Sequence, residues 1–115
     1  MPVLDWLRDL RRTDQRGYAK AVARIHRLAE MGYELRRPES DFLVDGVHEL
    51  RARRGRVHFR TLYFFHGSEI AILAGGLTKE GKVPKTEIDR AVRRKIAFER
   101  DPDRHTFEME LDDDG

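Results

Sequence analysis

Six side chains that carry, or can carry, positive charge fall within ten residues: Arg51, Arg53, Arg54, Arg56, His58 and Arg60. A guanidinium fork makes paired hydrogen bonds to phosphate oxygens, so arginines presented in a row can track a phosphate backbone. In an extended hairpin, Arg51 and Arg53 share one face, and His58 and Arg60 share a face of the next strand. Composition and spacing leave a second reading equally open: a solvated edge hairpin whose charges discourage pairing with other chains.

A second basic group, Lys79, Lys82 and Lys85, lies in a Gly- and Pro-containing segment, and Arg90, Arg93, Arg94, Lys95 and Arg100 follow. Gly75 to Lys82 lacks the spacing and the terminal Lys-Ser/Thr pair of a phosphate loop. The five histidines (His26, His48, His58, His66 and His105) show no metal-ligand spacing, and there is no cysteine, so zinc patterns built on thiolates are excluded. No metal and no cofactor are expected. Glu49 and Tyr63 stand near the arginines and could assist proton transfer, but their spacing does not demand it.

The elements that must position these groups follow from periodicity. Val3, Leu4, Leu7 and Leu10 recur at helical spacing over Val3–Arg12. A second helix from about Asp14 to Met31 carries Tyr18, Ala21, Val22, Ile25, Leu28 and Ala29 as an apolar stripe, and Gly32 ends it. Residues 34–45 read as connecting loop. Val47–Arg53 and Val57–Phe65 read as strands around an Arg54-Gly55 turn, with a third strand over Glu69–Ala74. Gly75-Gly76 permits a bend, and Leu77-Thr78-Lys79 can continue the sheet edge. Pro84 opens a last helix lined by Ile88, Ala91, Val92 and Ile96. The fold class is therefore α+β: helices on one face of an antiparallel sheet, the other face partly open.

At 115 residues the chain supports one core. Charged residues (38%) nearly equal hydrophobic ones (39%), so that core must be compact and the surface densely charged. Residues 101–115 hold seven acids against one base, leaving 22 bases and 14 acids in residues 1–100. The division is a basic domain over 1–100 with an acidic tail over 101–115, and the basic body suggests an anionic partner. No apolar run approaches a membrane span, and the N-terminus is charged and amphipathic, so a cytoplasmic location and no membrane partner are expected.

Several segments carry a resemblance: Gly46-Val47-His48-Glu49-Leu50-Arg51, Phe59-Arg60-Thr61-Leu62-Tyr63-Phe64-Phe65, Leu77-Thr78-Lys79-Glu80, and Pro84 with Glu87-Ile88-Asp89-Arg90-Ala91. In this order they resemble toxins of the RelE/ParE superfamily, in particular the HigB-like, phage-derived group of type II toxin–antitoxin systems. The likeness spans roughly residues 3–100. It implies the RelE-like fold, with N-terminal helices on an antiparallel sheet and a C-terminal helix. It also implies an endoribonuclease that cleaves mRNA on the ribosome, neutralised by a helix-turn-helix antitoxin through which alone DNA is reached.

Carried over by position, Arg51, Arg60, Lys79, Tyr63 and Glu49 are the expected catalytic residues. Arg53, Arg54, Arg56, His58, Lys82, Lys85 and Arg94 are the expected contacts to RNA or ribosome. Arg51 and Arg60 would hold the scissile phosphate, and Lys79, aided by Tyr63, would handle charge or proton transfer. The chain departs from the pattern at Gly75, where many relatives have His, and at Glu80, which replaces a second Lys. The alternatives are a non-catalytic binding protein of the same fold and a ParE-like inhibitor of DNA gyrase.

Overall fold

The computed structural model describes residues 2–67, 70–79 and 81–102. Two helices come first, α1 (Pro2–Thr13) and α2 (Gln15–Met31). Their periodic apolar residues are the buried ones: Val3, Leu4, Leu7 and Leu10 on α1, and Tyr18, Ala21, Val22, Ile25 and Leu28 on α2. Asp14 caps α2 by accepting the Gly17 N–H at 3.0 Å, and the same carboxylate accepts from Arg54 at 2.6 Å. That second bond fastens the start of α2 to the basic hairpin. Gly32 ends α2 as expected.

Four antiparallel strands follow, each bonded to the next: β1 (Ser40–Val44), β2 (Val47–Arg54), β3 (Val57–His66) and β4 (Ile70–Lys79). Helix α3 (Lys85–Arg100) begins directly after Pro84. This is the α+β, RelE-like arrangement.

Two local expectations are corrected. Residues 40–44 are an edge strand, not loop. Asp45 and Gly46 both have positive φ, 50° and 80°, the two-residue turn whose twist folds a strand back onto its neighbour. Gly75-Gly76 is no bend. β4 runs through it, with Ala74 inserted as an extra residue between the Leu73–Tyr63 and Gly75–Leu62 pairs. The glycine there admits a neighbour, since a Cβ on Gly76 would lie 2.0 Å from the Trp6 ring. Trp6 also donates its indole N–H to Thr78 Oγ1 at 3.0 Å, which seats α1 on β4.

Strand alternation divides the sheet between two cores. Leu50, Ala52, Phe59 and Tyr63 pack with α1 and α2, whereas Val47, Leu62, Phe64 and Ala74 pack with Ala91 and Phe98 of α3. The second face is partly open as expected, with α3 occupying one end of it. Ile96, expected on the apolar side of α3, is 44% exposed, and Phe98 is buried instead. No helix among the described residues is long and apolar enough to cross a membrane. Ser68, Glu69, Glu80, His105 and all of the acidic tail beyond Pro102 lie outside the described residues.

The Trp6–Gly76 contact should fix the helix layer. Gly76→Ala is expected to destabilise the protein by about 1–3 kcal/mol through overpacking. Urea unfolding followed by far-ultraviolet circular dichroism, which does not rely on the tryptophan, measures this. Pairing it with Trp6→Ala should recover part of the loss.

Candidate nucleic-acid interface

The register of β2 on β3 assembles the basic group. Arg51 lies directly opposite Arg60, and Arg53 directly opposite His58. Alternation puts all four on the face that α3 covers only at its far end. On the next strand, Leu77 pairs with Arg60, and the Lys79 backbone pairs with His58. Three strands therefore bring Arg51, Arg53, His58, Arg60 and the Lys79 position into one small area.

Like charges facing each other across a ladder repel, and Arg51 beside Arg60 needs a counter-charge. Glu49 supplies it, two residues before Arg51 on the same face. Its carboxylate is only 3% exposed at the residue level and accepts from Arg51 Nε at 2.6 Å. Glu49 Oε2 lies 3.9 Å from Arg60 Nε, too far for a hydrogen bond, and neither atom has a hydrogen-bond partner among the described residues. Arg51 also donates to Asp41 at 3.0 Å, and Asp41 accepts from Arg37 at 2.9 Å. An alternating chain, Arg37–Asp41–Arg51–Glu49–Arg60, runs from the β1 edge into the basic area. The Arg37 guanidinium is the main influence holding the Asp41 carboxyl below the usual range.

His58 sits among these charges. Burial, and then the positive charges of Arg60, Arg53 and Arg51, push its imidazole pKa down, with Glu49 opposing. A neutral ring offers one donor and one acceptor, and the downward shift favours that form.

The other expected site residues are distributed differently. Arg54 faces the α2 side and is held by Asp14. Arg56 is exposed in the hairpin turn, and Lys82 is exposed before α3. Lys85 reaches Asp89 within α3 at 3.4 Å. Arg94 donates to the Ala74 carbonyl at 2.6 Å and fills the space where a Cβ on Gly75 would sit, 2.9 Å from it. Gly75 pairs with Leu62, one step along the face from Arg60, so the glycine that departs from the resemblance makes room for a cation from α3.

Tyr63 is not brought to this group. It is buried on the α2 face, hydrogen-bonded to Ser40, and burial pushes its hydroxyl pKa up. It pairs with Leu73, whereas Lys79 pairs with His58 five residues along β3, a separation of about 17 Å. Residues missed in the sequence include Asp41, which lay in the supposed loop; the Asp45-Gly46 turn signal was the clue to its strand.

Removing the counter-charge should be costly. Glu49→Gln is expected to lower stability by about 2–3 kcal/mol, because it leaves Arg51 and Arg60 facing each other with no carboxylate between them and only Asp41 at the far side of Arg51. Arg53→Gln, at an exposed position, should change stability by less than about 0.5 kcal/mol. Urea midpoints of the two variants test the contrast.

The family model described as Phage derived protein Gp49-like (DUF891) matches residues 5–95, which takes in most of α1, all of α2 and the sheet, and most of α3. Neither a curated protein nor a solved structure matches the chain. On the extent of that match, the chain belongs to the Gp49-like family of phage-derived proteins, a RelE/toxin-like family.

Proposed function

We propose that this protein is the toxin of a type II toxin–antitoxin system, and that it inhibits translation by cutting mRNA on the ribosome. The observation that carries this reading is the cross-strand array of Arg51, Arg60, Arg53 and His58, with Lys79 next in register. Metal-independent RNA cleavage needs a base for the 2′-hydroxyl, cations for the phosphate and an acid for the leaving oxygen. His58 is the base: its lowered pKa leaves a ring nitrogen ready to take the 2′-hydroxyl proton. The 2′-oxygen then attacks phosphorus, and the bond to the 5′-oxygen breaks as Lys79 protonates it. Arg51 and Arg60 carry the phosphate charge, while Glu49 holds both guanidinium groups in place. Arg53, Arg56 and Arg94 extend the positive surface along the strand of RNA. A helix-turn-helix antitoxin is the expected partner.

One observation favours a second reading, a non-catalytic binding protein of the same fold. Glu49 already engages Arg51, and Arg60 is only 9% exposed.

Inducible expression with and without the neighbouring gene product, with mapping of mRNA 5′ ends, separates the two. New ends that appear with growth arrest support the nuclease; arrest without them supports binding alone. Arg51→Ala and Lys79→Ala should each lower cleavage by about 100-fold. The acid limb of the cleavage rate should fall below pH 6.5, the ordinary histidine value. Arg53→Gln should move that limb upward by removing a positive neighbour, and His58→Gln should abolish it together with about 100-fold of rate.

A further inference from the structure

A concave site lies on the opposite face of the sheet, past the C-terminal end of α2. It is a cleft of about 440 Å³, within the range of small-ligand sites. Its walls are unusually aromatic: Tyr33, Phe42, His48 and Phe65 line it, and the hydroxyls of Ser40 and Tyr63 meet at it. Two of these rings remain largely in water, with Phe42 57% and Tyr33 48% exposed. They are nonetheless held in place. Phe42 sets its edge on His48 at 5.4 Å, and Tyr33 lies on Phe65 at 4.1 Å while its hydroxyl donates to the Gly67 carbonyl.

Charge at the lip indicates the sign of the occupant. Arg36 and Arg37 line the cleft and are exposed. Arg36 spends one nitrogen on the Tyr33 carbonyl, and Arg37 one on Asp41. A guanidinium has five donors, so both retain N–H groups for an anion. Asp41, the acid in the lining, is already shared between Arg37 and Arg51.

We infer that this cleft binds a single unpaired nucleotide, its base against Phe42, Tyr33 and Phe65 and its phosphate on Arg36 and Arg37. Aromatic faces with adjacent arginines are the chemistry by which unstacked bases are held. An apolar peptide side chain would use the rings but leave the two cations without a role. The half-buried His48 ring supplies the polar group for the base edge. Burial pushes the His48 pKa down, with Asp41 opposing, and so favours the neutral ring. The nucleotide is either a free 5′-monophosphate or one residue of a single-stranded RNA. The site lies on the other face from the basic area, joined to it through the Arg37–Asp41–Arg51 ion pairs, and does not depend on cleavage there.

Titration of the full-length protein with each 5′-mononucleotide, followed by amide chemical shifts, tests this without ribosome or turnover. Shifts are expected at Phe42, His48 and Phe65. The matching nucleoside should bind about tenfold more weakly, and Arg36→Ala with Arg37→Ala should erase that difference. Phe42→Ala, an exposed edge-strand position, should weaken binding by about tenfold. A single-stranded hexamer that binds more tightly than the mononucleotide identifies RNA as the source; equal affinity identifies the free nucleotide. The inference is overturned if no mononucleotide or hexamer shifts these residues. It is equally overturned if ribose 5-phosphate binds as well as the nucleotide, or if Phe42→Ala binds unchanged. Nucleotide binding without mRNA cleavage would sink the nuclease reading and leave this one standing.

Discussion

Glu49 is the residue on which the basic face of the sheet depends. A carboxylate taken out of water is costly unless it is paired, and two arginines placed opposite each other repel. Each problem resolves the other. Glu49 accepts from Arg51 and lies beside Arg60, so the β2–β3 register can close with both guanidinium groups on one face. That register sets the positions of Arg53 against His58 and, through β3, of Lys79 against His58. The Asp41 bond then ties the same arginine to the edge strand. A single buried acid thus coordinates three strands.

The sheet serves two cores, and the Ala74 insertion is where they meet. Before it, β4 gives Leu73 to the α1–α2 core and Ile72 to the α3 core. After it, Gly76 and Gly75 present bare backbone, one to Trp6 of α1 and the other to Arg94 of α3. Helices on opposite faces thereby approach adjacent residues of one strand. Larger side chains at those positions would hold the helices away from the sheet, and with α3 would go the placement of Arg94.

The helices were legible because their apolar stripes are long and regular, and Asp14, Gly32 and Pro84 mark their ends. β2 and β3 were legible from their β-branched and aromatic runs. β1 was hidden because Ser40, Asp41 and the preceding Arg-Pro resemble turn chemistry. Its evidence lay in Asp45-Gly46, a two-residue turn that needs a strand on each side. In the site, the cluster of arginines was visible, but their facing was not. Whether Arg54 looks toward Asp14 or toward Arg53 depends on tertiary packing, and Tyr63 was separated from Lys79 by register and by its place on the α2 face. The aromatic cleft assembles residues from the end of α2, β1, β2 and β3, a convergence that no local spacing announces.

The internal pairing of the arginines has a thermodynamic consequence for any polyanion that approaches. Affinity for nucleic acid falls with added salt in proportion to the phosphates that a protein neutralises, because each neutralisation releases condensed counterions. Arg53 and Arg56 are exposed and make no ion pair among the described residues, so each can neutralise a phosphate outright. Arg51 and Arg37 must first exchange a carboxylate for it. Ionic strength weakens the internal pairs too, and part of the two effects cancels. The steepness of the salt dependence therefore counts the arginines that the fold leaves unpaired, not those that the sequence contains.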